Sequence, residues 1–176
     1  MADCHIPYDP QEEHTLVIIK PDGYRRGLIG EVISRIERRG FKIVGLQTKT
    51  ATREELEEHY FEHKDKHFFE GLVEYMMSGP IVLMVIEGSR VIQAFRNMMG
   101  DTNPAVAMPG TIRGDLARDW GPDAQIQNIV HGSDSAQSAD REIALWFPYM
   151  IDDRPVARRF SWRCFSALPK AGKAVF

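Results

Sequence analysis

The chain has 176 residues, of which 43% are hydrophobic and 27% charged, a composition that suits one globular domain with a core of ordinary size. A net charge of −3 excludes a bulk electrostatic pull towards nucleic acid or anionic membranes. No apolar run approaches the roughly 20 residues of a membrane span, and the two cysteines, Cys4 and Cys164, make neither a metal spacing nor a disulfide framework. The start, MADCHIPYDPQEEH, has acids and prolines where a signal peptide needs a basic patch and an apolar core. A soluble, cytoplasmic protein is the expectation. Charge is unevenly placed: residues 151–176 carry Arg154, Arg158, Arg159, Arg163, Lys170 and Lys173 against only Asp152 and Asp153.

In chain order, Leu16–Ile19 is a continuous apolar run that meets the turn Lys20-Pro-Asp-Gly23, as a buried strand would. Ile29, Val32, Ile33 and Ile36 follow at helical spacing, closed by Gly40, which suits a left-handed cap. Phe41–Leu46 reads as a second strand. Thr52 and Glu55 form a capping box that opens a short helix through Leu56 and Tyr60. Phe68, Phe69, Leu72, Val73 and Met76 make another helical stripe, broken at Ser78-Gly-Pro80. Ile81–Ile86 is a third strand, and Ser89 is placed to cap a helix carrying Val91, Ile92, Phe95, Met98 and Met99. Periodicity then fails from Gly100 to about Gln125, and an aperiodic loop of that length inside a compact domain is usually functional. Ile126–His131 reads as a fourth strand, and Ser135 caps a last helix that ends before Pro148.

With the middle helices set aside, the order is the βαββαβ pattern of ferredoxin-like folds, an antiparallel sheet with helices on one face. The whole chain is therefore expected to be α+β, with helices on the faces of the sheet and a helical insertion between the second and third strands.

The absences narrow the chemistry. There is no GxxxxGK[ST] phosphate loop and no GxGxxG, so any phosphate must be handled by side chains. His59-Tyr-Phe-Glu-His63 matches the HxxEH string of inverted zinc peptidases, whose i,i+4 histidines would share a helix face. The plainer reading of the same stretch is a solvated helical face. A second constellation is Asn128-Ile-Val-His131-Gly-Ser133-Asp-Ser135, a histidine ending a buried strand beside a glycine that lets backbone approach a ligand. Neutral imidazole is nucleophilic near pH 7 and accepts phosphoryl groups, provided a partner such as Glu142 fixes its tautomer. A third set, Lys20, Arg96, Thr102 and Arg113, supplies the point charge and forks that suit terminal phosphates.

Eight strings carry a resemblance: Lys20-Pro-Asp-Gly23, Gly27-Leu-Ile-Gly-Glu31, His67-Phe-Phe-Glu-Gly-Leu72, Ser78-Gly-Pro80, Met99-Gly-Asp-Thr-Asn-Pro104, Pro109-Gly-Thr-Ile-Arg-Gly-Asp115, Asn128 through Ser135, and Arg141-Glu-Ile-Ala-Leu-Trp-Phe147. Together and in this order they resemble the nucleoside diphosphate kinases, from about residue 14 to 147. The resemblance implies transfer of the terminal phosphoryl group from a nucleoside triphosphate to a nucleoside diphosphate. His131 resembles the residue phosphorylated, with Glu142 and Ser133 holding its ring. Lys20, Tyr60, Arg96, Thr102, Arg113 and Asn128 resemble the groups that bind phosphates and ribose, and Phe68, with Leu72 beside it, resembles the platform for the base. Mg²⁺ carried on the nucleotide phosphates, with no dedicated protein cage, and a homo-oligomer, a hexamer or else a tetramer, are implied as well.

Two departures stand out. Leu116–Gln127 (LARDWGPDAQIQ) is several residues longer than the family's usual link, and residues 148–176 replace its usual ending with a basic tail. Residues 1–13 read as an N-terminal arm, 14–147 as the kinase domain and 148–176 as the tail. A catalytically silent nucleotide-binding protein, a phosphohistidine carrier and the zinc peptidase are the rival functions.

Overall fold

The computed structural model describes residues 12–118 and 126–150. Four strands, β1 (Glu12–Ile19), β2 (Lys42–Lys49), β3 (Ile81–Ser89) and β4 (Val130–Gly132), form one sheet in the order β2-β3-β1-β4, with every neighbouring pair antiparallel. Among the described residues seven α-helices accompany them: α1 (Pro21–Arg25), α2 (Ile29–Arg38), α3 (Arg53–His59), α4 (Phe69–Met77), α5 (Val91–Met99), α6 (Ile112–Leu116) and α7 (Ala136–Trp146). The α+β expectation and its antiparallel sheet are met, with α3 and α4 standing between the second and third strands.

Helices cover both faces of the sheet rather than one. Leu16, Ile18, Leu83 and Val85 point into a core with Leu56 of α3, Leu72, Val73 and Met76 of α4, and Ile143 and Trp146 of α7. Val17, Ile19, Val82, Met84 and Ile86 point the other way, onto Val32 and Ile36 of α2 and Phe95 and Met99 of α5. Successive strand residues face opposite sides, so a strand covered on both sides must be apolar throughout. That is why Leu16–Ile19 and Ile81–Ile86 show no alternation.

The caps that the sequence specifies form as side-chain geometry demands. Thr52 and Glu55 complete both halves of the capping box, Ser135 Oγ accepts from Ser138 N, and Gly40 takes φ 86° after α2. Ser89 does not cap α5. It lies in β3, and the N-cap position falls on Arg90 at φ 50°, while the Glu13 carboxylate from β1 accepts from Ile92 N at 3.4 Å. The fourth strand is shorter than expected and starts later, at Val130, because Asn128 and Ile129 bend away to bond elsewhere. Two short helices were invisible to periodicity: α1, with Pro21 in its first turn, and α6, capped by Thr111 inside the stretch that reads as structureless. Each has five residues, too few for a helical stripe.

Candidate active site

His131 sits in the middle of β4, opposite Ile18 of β1, and its side chain is 21% exposed. Its Nε2 lies 3.0 Å from Glu142 Oε2. Glu142 projects from α7, and the same carboxylate oxygen accepts from Ser133 Oγ at 2.8 Å. Ser133 is pinned in turn, since its hydroxyl accepts from Leu16 N and its own N–H donates to the Leu16 carbonyl, both at 3.2 Å. Burial alone would raise the Glu142 carboxyl, but the charge and hydrogen bond of His131, helped by His59 and Ser133, hold it below its usual range. An ionised carboxylate only accepts, so His131 Nε2 carries the proton and Nδ1 keeps a lone pair.

The glycine after His131 serves packing. A Cβ on Gly132 would stand 2.6 Å from a ring carbon of Phe95, so α5 can close on β4 only if that side chain is absent. The space that the missing side chain leaves is therefore taken by Phe95 rather than by a ligand.

A second group gathers around Asn128. Lys20, just past β1, donates through Nζ to Asn128 Oδ1 at 2.8 Å, while Asn128 Nδ2 donates to the Thr102 carbonyl at 2.8 Å. Arg113, on α6, spends its fork on three carbonyls: Asn128 at 3.3 Å, Gly100 at 2.9 Å and Val130 at 2.9 Å. Burial, then the nearby Arg113, brings the Lys20 ammonium down to about 7, and Asp22 opposes the shift only in part. Burial, then Arg96, lowers Arg113 to about 10, still charged at neutral pH. Arg96, on α5, has no side-chain hydrogen bond among the described residues and lines an open cleft of about 550 Å³ with Phe61, Glu62, Asp134 and Arg141. Thr102 is exposed in the loop after α5.

Ile129 carries the backbone between these two groups at φ 70°, an outlier for a β-branched residue that costs about 1–3 kcal/mol. Its N–H donates to Asp22 Oδ2 at 3.2 Å, its carbonyl accepts from Lys20 N at 2.7 Å, and Asp22 Oδ1 accepts from the Tyr75 hydroxyl at 2.5 Å. Those bonds hold the bend that puts Asn128 and His131 at one end of the sheet. Asp22, Tyr75 and Ile129 were missed in the sequence, because a residue that shapes the chain through contacts more than 50 positions away leaves no local mark.

Tyr60, the C-cap of α3, stands with its ring 6.2 Å from that of His131, and its hydroxyl is buried without a partner. Phe68, the N-cap of α4, is 40% exposed and touches His63 and His67, whereas Leu72 turns into the core. The structure thus gathers His131, Glu142, Ser133 and Tyr60 in one place and Lys20, Asn128, Arg113 and Thr102 in another beside it, while Phe68 stands apart at the surface.

The HxxEH string does not form a metal face. Helix α3 ends at His59 and Tyr60 turns the chain, so His63 falls in a separate turn and the two histidines share no helix. His59 points inward instead, its Nδ1 accepting from Trp146 Nε1 at 3.2 Å. Among the described residues, the one His, Cys, Asp or Glu trio close enough to share an ion is His59, His131 and Glu142. Two imidazoles and one carboxylate already engaged in hydrogen bonds are not the oxygen cage that Mg²⁺ favours. A hard divalent cation therefore fits this protein only if the phosphates of a ligand supply most of its oxygens.

A histidine with its tautomer fixed, next to a group that holds a buried lysine and arginine, suits a class of protein that handles phosphoryl groups without a glycine-rich cradle. The family model described as nucleoside diphosphate kinase matches residues 13–150. A nucleoside diphosphate kinase of Streptococcus uberis is 57% identical over 138 residues, covering 78% of this chain and 96% of its own. One from Thermobifida fusca is 58% identical over 136 residues, 77% of this chain and 97% of its own. The human nucleoside diphosphate kinase A is 53% identical over 147 residues, 84% of this chain and 88% of its own. The chain belongs to the nucleoside diphosphate kinase family. It is an enzyme that binds nucleotides and moves phosphoryl groups between them, and the silent-protein and peptidase readings are not favoured. The reaction of this family requires a divalent cation. Among the described residues no helix is long and apolar enough to cross a membrane.

Proposed function

We propose that the enzyme works by a ping-pong mechanism through His131. Nδ1 of His131 attacks the terminal phosphorus of a nucleoside triphosphate, typically ATP, and the bond from that phosphorus to the bridging oxygen breaks, releasing the diphosphate. A terminal oxygen of a second nucleoside or deoxynucleoside diphosphate then attacks the same phosphorus, and the N–P bond breaks. The observation that carries this reading is the Glu142–His131 hydrogen bond, because it leaves Nδ1 as the nucleophilic nitrogen. Charge spread over the transferring oxygens is met by Arg96 and Arg113, with Lys20 and Tyr60 as further donors. Thr102 grips phosphate, Lys20 and Asn128 reach the ribose hydroxyls, and the base stacks on Phe68 beside Leu72. The divalent cation is Mg²⁺, which when bound neutralises the nucleotide phosphates.

The kinase domain runs from residue 14 to 147 between an arm (1–13) and a basic tail (148–176), and the protein is cytoplasmic. A homo-oligomer, hexameric or else tetrameric, is supported by apolar surface that a monomer would leave wet: Leu46 on the edge strand β2, and Val106 and Met108 in the long loop. Incubation with γ-labelled ATP and Mg²⁺ tests the mechanism. The protein should take up acid-labile, base-stable label that GDP or ADP discharges, and label on any residue other than His131 would sink it.

A further inference from the structure

The side chain beside His131 that the proposed mechanism leaves unused is His59. It is 3% exposed, and its ring meets His131 edge-on, with centroids 4.7 Å apart and planes at 73°. Trp146, on α7, hydrogen-bonds His59 Nδ1 through Nε1, and an indole N–H can only donate. Nδ1 must therefore be the accepting nitrogen, and the neutral ring carries its proton on Nε2. Burial, with the charge of His131 next, holds the ring well below its ordinary pKa, which keeps it neutral. Yet Nε2 is buried and has no hydrogen-bond partner among the described residues. Buried N–H groups are almost always paired, so an orphan one beside a nucleophile calls for an explanation.

A metal ion is the wrong answer. A ligand nitrogen needs a free lone pair, and the Trp146 bond has placed the proton there. What a fixed, neutral, buried N–H fits is an acceptor that arrives during the reaction. The His59 and His131 rings meet edge-on with centroids 4.7 Å apart, so a group carried on the His131 ring stands beside His59. We propose that His59 is a catalytic donor: its Nε2–H bonds an oxygen of the phosphoryl group as that group transfers to and from His131, and Trp146 sets the tautomer that makes this possible. The inference rests on His131 as the phosphorylated residue. It gives the buried N–H its partner, and it explains why the indole is turned to the far nitrogen of the same ring. A neutral donor aimed at developing charge costs no reorganisation at the moment of transfer.

The test compares His59→Gln, whose amide nitrogen stands near the position of Nε2, with His59→Phe, which keeps a ring and has no donor. In single-turnover phosphorylation by Mg²⁺-ATP, His59→Phe should slow by about 10²-fold, as removal of one preorganised donor does. His59→Gln should recover to within about tenfold of the parent. If His59 merely walls in the His131 ring, the order reverses, with Phe near normal and Gln impaired, and the proposal fails. Equal impairment of both also overturns it. Because either variant could misfold, ¹⁵N NMR of the unaltered protein supplies a second readout: the His59 Nε2–H resonance should move downfield on phosphorylation, and an unmoved signal overturns the proposal. Mapping the label first keeps the two readings apart, since label away from His131 defeats the mechanism itself, whereas label on His131 with normal rates in His59→Phe defeats this inference alone.

Discussion

The two ends of the site are built differently. At the chemical end, Glu142, Ser133, Asn128, Arg113 and Lys20 are all buried, and each is committed to a hydrogen bond before any nucleotide arrives. At the proposed base end, Phe68 is 40% exposed, Thr102 is exposed, and Met108, further along the same loop as Thr102, is 70% exposed. The first end must hold one atom in one orientation through every turnover, whatever nucleotide is bound. In the proposed mechanism the second meets a different base each time, and a partly exposed aromatic face suits any of them, because every base has a π-face. Order is concentrated where the chemistry is constant.

The sharpest way to break this contrast is at its most ordered point. His131→Ala should take no label and lose at least about 10⁴-fold in kcat, since the reaction is split across that nucleophile. Normal turnover by the variant, assayed with ATP and GDP, would refute the site. Next comes Glu142→Ala, which frees the ring to adopt the wrong tautomer. It should keep nucleotide affinity and lose about 10²- to 10⁴-fold in rate, and an unchanged rate would make Glu142 a bystander.

At the base end the effects should be smaller. Phe68→Ala should cost about tenfold in kcat/KM with every base alike, within the ~1–3 kcal/mol that base–aromatic stacking is worth. A loss confined to one base would mean that something nearby reads base edges. For the same reason ADP, GDP, CDP, UDP and their deoxy forms should differ by roughly tenfold, about 1.4 kcal/mol, with purines ahead. A thousandfold preference would show a base-specific contact.

Lys20 tests the chemical end by pH. Its folded pKa of about 7 lies below the ordinary 10.5, so the charged form, proposed to grip nucleotide, prevails in the free enzyme below about pH 7. As pH rises past 7 the charge is lost, and kcat/KM should fall on the order of tenfold by pH 8.5, a limb that Lys20→Gln should lack. The sign for stability is opposite. A depressed lysine binds its proton more weakly folded than unfolded, so its penalty on folding is full below pH 7 and fades as pH climbs towards 10.5. Denaturant titration at pH 6.5 and 9 should find Lys20→Gln gaining most over its parent at the lower pH. The smallest effect should come from deleting residues 152–176, measured by light scattering: a changed mass gives the tail a role in assembly, and an unchanged, equally active protein leaves it dispensable.

What the sequence determined by itself was local or carried in short strings. The capping box at Thr52, the cap at Ser135 and the left-handed Gly40 each depend on neighbours within a few residues, and each formed as read. The continuous apolar runs of β1 and β3 announced buried strands, though not that helices would cover both of their faces. The eight strings in order carried the resemblance to the nucleoside diphosphate kinases, and the family model and the relatives agree with it. Tertiary structure decided the rest, for reasons of distance along the chain. Only packing against α7 could turn His59 inward to Trp146 and dissolve a metal motif that local spacing had spelled out. Only Asp22, 107 positions away, could hold Ile129 in its strained bend and so set where β4 begins. And only the close approach of Phe95 shows that Gly132 serves a helix, a contact that joins elements far apart in the chain and so leaves no trace in either stretch of sequence.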